Sequence, residues 1–154
     1  MAVGDIKWFS GALLEVGRGT HNLASHSLKC GLVTSVVTPT ISDTDPRWGA
    51  GGSVNFATNQ VTPGGNYATG GPTLAAVTWT NVANVPTLRA TDISILQNAS
   101  NPTNARWGIV YNDTAANKNA LGFIDFGSDR NLTTGDFTIN FGGAGTDILT
   151  LTQS

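Results

Sequence analysis

Charge is what this chain has least of. Asp, Glu, Lys and Arg make up 12% of its 154 residues, against roughly 25% in an average globular protein. The eight basic residues are scattered and the net charge is −2. Nucleic-acid binding needs several Lys or Arg on one face to displace condensed counterions, so that class is excluded. Cysteine is nearly absent. The single Cys30 rules out an internal disulfide framework and agrees with folding in a cytosol. Long apolar runs are missing too, since none approaches the ~20 residues that span a bilayer. Met1–Ser10 holds one Lys and two aromatics but no apolar segment of the kind a signal peptide carries. The expectation is therefore a protein made and folded in a cytosol, with no membrane and no nucleic acid as partner.

What the chain does contain points to strands. A hydrophobic content of 40% argues against disorder, and 19 glycines with many Thr and Asn stand where helix formers would be. The length suits one domain, 1–154, large enough to bury a core without staples. The clearest stretch is Arg106–Phe126, in which apolar Trp107–Tyr111 and Leu121–Phe126 flank polar Asn112–Ala120. That pattern predicts a central hairpin.

Around it, Met1–Ser10 reads as an edge strand packed on the domain or, alternatively, as a short N-terminal arm that docks on a neighbour. Ser10–Val16 reads as one short helix, with Ser10 as N-cap and Gly17 after its end, too short to stand alone and so laid against the sheet. Leu28–Val37 reads as a strand with Leu28, Cys30 and Leu32 on one face. Thr38–Gly71 is a long loop containing Pro39, Pro46 and Pro63, anchored by Trp48 and Tyr67, with a short strand around Val54–Ala57 and the most exposed surface of the chain. Thr73–Thr80 and Pro86–Leu96 read as strands. Asp136–Phe141 alternates Phe137, Ile139 and Phe141 inward with polar residues outward. Gly142–Gly145 breaks the pattern, and Asp147–Thr152 closes the domain with Leu149 and Leu151 on one face. Short strands separated by turns, with no long amphipathic helix, predict an all-β fold: an antiparallel β-sandwich, jelly-roll-like, with at most one short N-terminal helix.

No stretch carries recognisable catalytic chemistry. His21 and His26 lack the further ligands of a zinc site and read as surface histidines in a turn. Cys30, among alternating leucines, reads as a small buried hydrophobe and not a nucleophile. The glycine-rich stretches Gly17–Thr20 and Gly142–Asp147 lack the Lys-Ser/Thr of a phosphate loop. The acidic clusters Asp43–Asp45 and Asp125–Asp129 are thin for calcium, which takes six to eight oxygens. The triplet Asp125–Gly127 has none of the other kinase elements. The repeated Arg-Trp-Gly, at Arg47–Gly49 and Arg106–Gly108, has unmatched neighbours and is read as coincidence. Exposed Trp or Tyr on a β scaffold can stack on sugar rings, unless residues such as Trp79 and Trp107 are core.

The segments also have a recognisable order. An aromatic-containing start is followed by a strand ending in Leu32–Ser35, a long loop, and Tyr67-x-x-Gly70-Gly71-x-x-Leu74. A Val-x-Trp strand, Ala105–Asp113 (ARWGIVYND) and Phe123–Gly127 (FIDFG) come next, and the chain ends on Phe-Thr-Ile-x-Phe and Ile-Leu-Thr-Leu-Thr. In that order they resemble a family of small tailed-bacteriophage virion proteins, encoded among head genes and regarded as capsid decoration or cement proteins. The resemblance implies a small β-sandwich made in the bacterial host cytoplasm and carried on the outer surface of the virion's capsid. Its implied partners are the major capsid protein and sister subunits, as a dimer or trimer. It implies no enzyme activity, cofactor or metal. The candidate interface is Ile6, Trp8 and Phe9 in the arm and Trp48 in the long loop. A carbohydrate-binding surface module and a tail-associated structural protein are the alternatives.

Overall fold

A computed structural model of the chain describes residues 6–141 and 147–150. In chain order these form β1 (Ile6–Trp8), α1 (Ser10–Gly17), β2 (Leu28–Val33), β3 (Pro46–Arg47) and β4 (Val54–Asn55). A 3-10 turn (Phe56–Asn59) precedes β5 (Thr78–Val82), β6 (Val85–Arg89), β7 (Ile93–Ile95) and β8 (Ala105–Asn112). Last come β9 (Ala120–Arg130), β10 (Phe137–Ile139) and β11 (Asp147–Thr150). The fold is all-β with one short helix, and its sheets are antiparallel except for the two-residue parallel pair β3–β4. The pairing does not establish a jelly-roll connectivity. The expected glycine break at Gly142–Gly145, the inward Leu151 and the arm before Ile6 lie outside the described residues.

The expected hairpin is the centre of the molecule. β8 and β9 pair antiparallel in a four-stranded sheet of order β1-β9-β8-β2. β8 reads almost continuously apolar because both faces of this sheet are covered, as fully buried strands require. On one face Leu28, Cys30, Leu32, Val110 and Ile124 join a core that reaches Leu88 of β6, Ile95 of β7 and Ile139 of β10. On the other face Trp107, Ile109 and Phe123 pack with Phe9, Ala12, Trp48 and Phe56. Two smaller sheets, β11-β6-β5 and β10-β7, supply the first cover. The helix and the long loop supply the second.

Glycine fixes how closely the second cover sits. A Cβ on Gly31 of β2 would run into the six-membered ring of Trp48, so only glycine lets that indole lie flat on the sheet. Phe141 and Ile139 are buried as the alternation requires. Pro86–Leu96, expected as one strand, is two: it breaks after Arg89, so that β6 pairs with β5 and β11 while β7 pairs with β10. The helix start also differs. Phe9 is the N-cap residue and makes no side-chain cap bond. The Ser10 N–H instead donates to the Ile41 carbonyl at 2.8 Å, so loop backbone, and not a serine hydroxyl, closes that end.

The long loop contains the short strand expected near Val54 and closes the outer edge of β2. Backbone N–H groups of Cys30 and Thr34 donate to the Pro72 and Asn59 carbonyls, both at 3.0 Å. The Leu32 N–H donates to the Tyr67 hydroxyl at 2.8 Å, and the Leu32 carbonyl accepts from Val61 N–H at 3.1 Å. Irregular chain therefore does the work of a further strand, and buried backbone groups stay paired.

Candidate functional site

Of the four aromatic and aliphatic residues expected at an interface, two are core. Phe9 is 1% exposed and lies against Phe56 and Phe123, with ring centroids 5.8 and 5.2 Å away. Trp48 is 5% exposed and stacks on Tyr111 at 4.9 Å with the rings 5° from parallel. Trp48 is thus the packing anchor expected of the long loop and not an interface residue, and Phe9 packs on the domain instead of docking on a neighbour. They are buried because the second face of the central sheet is covered by the helix and the long loop beside which they lie. Ile6 and Trp8 are half-buried on β1, and the Trp8 indole N–H donates to the Ile148 carbonyl at 3.2 Å. Trp107 is also buried, under the Arg106 guanidinium, 4.1 Å from its ring. Stacking on a sugar needs a free aromatic face, and neither Trp48 nor Trp107 offers one.

The exposed apolar residues lie next to those anchors. On α1, Gly11 and Ala12 turn inward while Ser10, Leu13, Leu14 and Gly17 face solvent. Leu13 and Leu14 are 44% and 54% exposed, and Ile41, bonded through its carbonyl to the start of the helix, is 46% exposed. The rim is polar, with Glu15 and Arg18 paired at 2.8 Å. Adjacent leucines in a helix lie 100° apart, so a helix that buries Ala12 cannot bury both. That was the signal in Ser10–Gly17, and it was overlooked because the segment was read as simply lying on the sheet.

An open cleft of about 880 Å3 runs beside Trp48, between Gln60–Pro63 and Ala116–Lys118. Two of its polar side chains are already engaged: the Gln60 Oε1 accepts from Gly70 N–H at 2.9 Å, and the Lys118 Nζ donates to Asp113 at 2.9 Å.

The densest polar cluster is structural. The Asn112 Oδ1 accepts from the N–H groups of Thr114 and Ala115, both at 3.1 Å, which fixes the orientation of the amide. Its Nδ2 then faces His21 Nδ1 at 3.1 Å, His26 Nδ1 at 2.9 Å and the Thr20 carbonyl at 3.2 Å. His21 is buried and not on the surface as expected, because this amide draws it under the 20–27 turn. Burial pushes its pKa down to about 4. Burial likewise pushes the Cys30 thiol up to about 12, the inert hydrophobe its strand implied. Asp45 is held by Arg47 at 2.7 Å, and Asp125 is paired with Arg106. Hydrogen bonding to that guanidinium holds the Asp125 carboxyl below the usual range. Among the described residues, no group of three or more His, Cys, Asp or Glu could hold a metal ion. None of their helices is long and apolar enough to cross a membrane.

No family model, curated protein or solved structure matches this chain. The functional reading therefore stands on the residues themselves.

Proposed function

We propose that this chain is a structural virion protein that decorates the outside of a tailed-phage capsid. It docks on the major capsid protein through the solvent face of α1 and the neighbouring Ile41. The order of its strand segments supports this reading through the resemblance they carry. The observation that carries the docking assignment is the pair Leu13–Leu14, exposed on a helix face without charge and rimmed by the Glu15–Arg18 pair. Such an arrangement, apolar at the centre and polar at the edge, is how protein interfaces are built. The helix is held rigidly from behind by Ala12 in the aromatic core, so little ordering entropy opposes docking.

The test is made on the native particle. Virions carrying wild-type chain, separated into heads and tails, are expected to hold it on heads. Leu13→Asp with Leu14→Asp is expected to abolish head occupancy while the circular-dichroism spectrum stays that of a β protein. Recovery in tails, or occupancy unchanged by the double substitution, would overturn the assignment.

A further inference from the structure

We propose that β5 is a pairing edge for a second copy of this chain, joined antiparallel about Thr80 so that two three-stranded sheets become one of six. Among the described residues, β6 is the sole strand paired with β5. The strand reads Thr78-Trp79-Thr80-Asn81-Val82, with no charge, no proline and no bulge in its pairing with β6. Thr78, Thr80 and Asn81 are exposed. Natural edge strands are usually blunted by Lys, Pro, a bulge or a covering segment. This molecule uses such devices elsewhere: Lys7 sits in the middle of β1, and the 59–74 segment covers β2. Among the described residues, β5 has none of them.

The backbone groups available at that edge follow from the turn. Ala83 and Asn84 both have positive φ, 50° and 68°, the signature of a two-residue type I′ hairpin closed by the pair Val82–Val85. Hydrogen-bonded pairs alternate, so Thr80–Thr87 bonds across the hairpin and Asn81–Pro86 does not. Pro86, which has no N–H, occupies a position where the pairing with β5 needs none. The N–H and C=O groups of Trp79 and Asn81 therefore point away from β6, toward the open edge.

A second copy satisfies them. With Thr80 opposite its own equivalent, Trp79 of one copy meets Asn81 of the other, and four backbone hydrogen bonds form. Thr78 faces Val82 on either side of the axis, and no charge meets its like. The interaction is isologous and closed, so it stops at two. The occupant is a copy and not a foreign peptide because the register is self-complementary. The open cleft described above lies elsewhere, by Trp48. Five paired residues make a small interface, so the dimer dissociates on dilution and gains strength only where an assembly holds copies together. The inference rests on β5 alone and stands whether or not the chain occupies a capsid.

Sedimentation of the full chain, up to about 1 mM where even an association of ~4 kcal/mol is half-formed, is expected to show a concentration-dependent dimer. Thr80→Lys, which sets two ammonium groups face to face, is expected to leave monomer. So is Asn81→Pro, which removes an outward N–H without touching the β6 ladder. The register has its own readout. Residues opposite each other in a non-hydrogen-bonded pair have Cα atoms about 4.5 Å apart, within disulfide reach. Thr80→Cys is therefore expected to cross-link to covalent dimer under mild oxidant, and Thr58→Cys, exposed on the 3-10 turn, is not. A wild-type chain monomeric throughout, a dimer surviving both Thr80→Lys and Asn81→Pro, or equal cross-linking of the two cysteine variants would each overturn the proposal.

Discussion

His21, buried on Asn112, makes stability depend on pH in a direction set by geometry. It offers Nδ1 as an acceptor to an amide that cannot turn, because the amide oxygen is held by two backbone N–H groups. A proton added at the His21 Nδ1 would point at the Asn112 donor. For His21, burial has lowered the pKa from the ordinary 6.5 to about 4, against a weaker opposing pull from the Glu15 carboxylate and reinforced by His26 nearby. Between those values the unfolded chain takes up a proton that the folded chain refuses. The contribution is therefore complete above about pH 6.5 and is lost as pH falls toward 4. Full loss amounts to roughly 3 kcal/mol. Wild-type protein is expected to show this fall in chemical denaturation curves, whereas His21→Gln, whose amide oxygen can accept the same bond, should be much flatter through the window. An equally steep fall in the variant would place the proton elsewhere.

The elements differ in how far side chains announce them. The β8–β9 hairpin was legible because burial on both faces leaves a long apolar run on each side of an Asn-rich turn. Phe137, Ile139 and Phe141 were legible because one alternating face is buried. The two-strand split of Pro86–Leu96 was not, since the residues stay apolar across it and only the pairing partners change. The role of the 59–74 segment was hidden for a different reason: apart from the Tyr67 hydroxyl, it covers β2 through backbone carbonyls and N–H groups, which any residue has. The anchors Trp48 and Tyr67 were expected, but the depth of Trp48 depended on Gly31 in a distant segment. The site was less legible than the fold, because exposure at Leu13 and Leu14 depends on which helix face the loop at Ile41 leaves open. The anchoring makes a prediction. Trp48→Ala removes the stack on Tyr111 and a large part of the second core, and is expected to cost about 3–5 kcal/mol in urea denaturation. Limited proteolysis should then cut first within 38–59, ahead of the β8–β9 hairpin. Simultaneous loss of both segments would mean that the loop is not a separable cover.

Across the whole molecule, charge is scarce, and most of the basic side chains are engaged. Arg18, Lys29, Arg47, Arg106 and Lys118 each sit on a carboxylate, and the Arg130 guanidinium donates to the Phe126 carbonyl. With a net charge of −2 and paired ions, the surface projects little field beyond a Debye length. Neither proposed contact draws on charge: the α1 face is leucine rimmed by a paired ion couple, and the β5 edge is backbone flanked by Thr and Asn. Association at both should then be nearly indifferent to ionic strength and respond instead to conditions that govern apolar burial. Raising sodium chloride from about 0.05 to 0.5 M shortens the screening length severalfold, which would weaken a charge-steered contact by orders of magnitude. Here the dimer constant and the head occupancy are expected to change less than about threefold, while sulfate, excluded from protein surfaces, should strengthen the α1 contact. A steep loss of either association with sodium chloride would mean that binding runs through charged groups on another face.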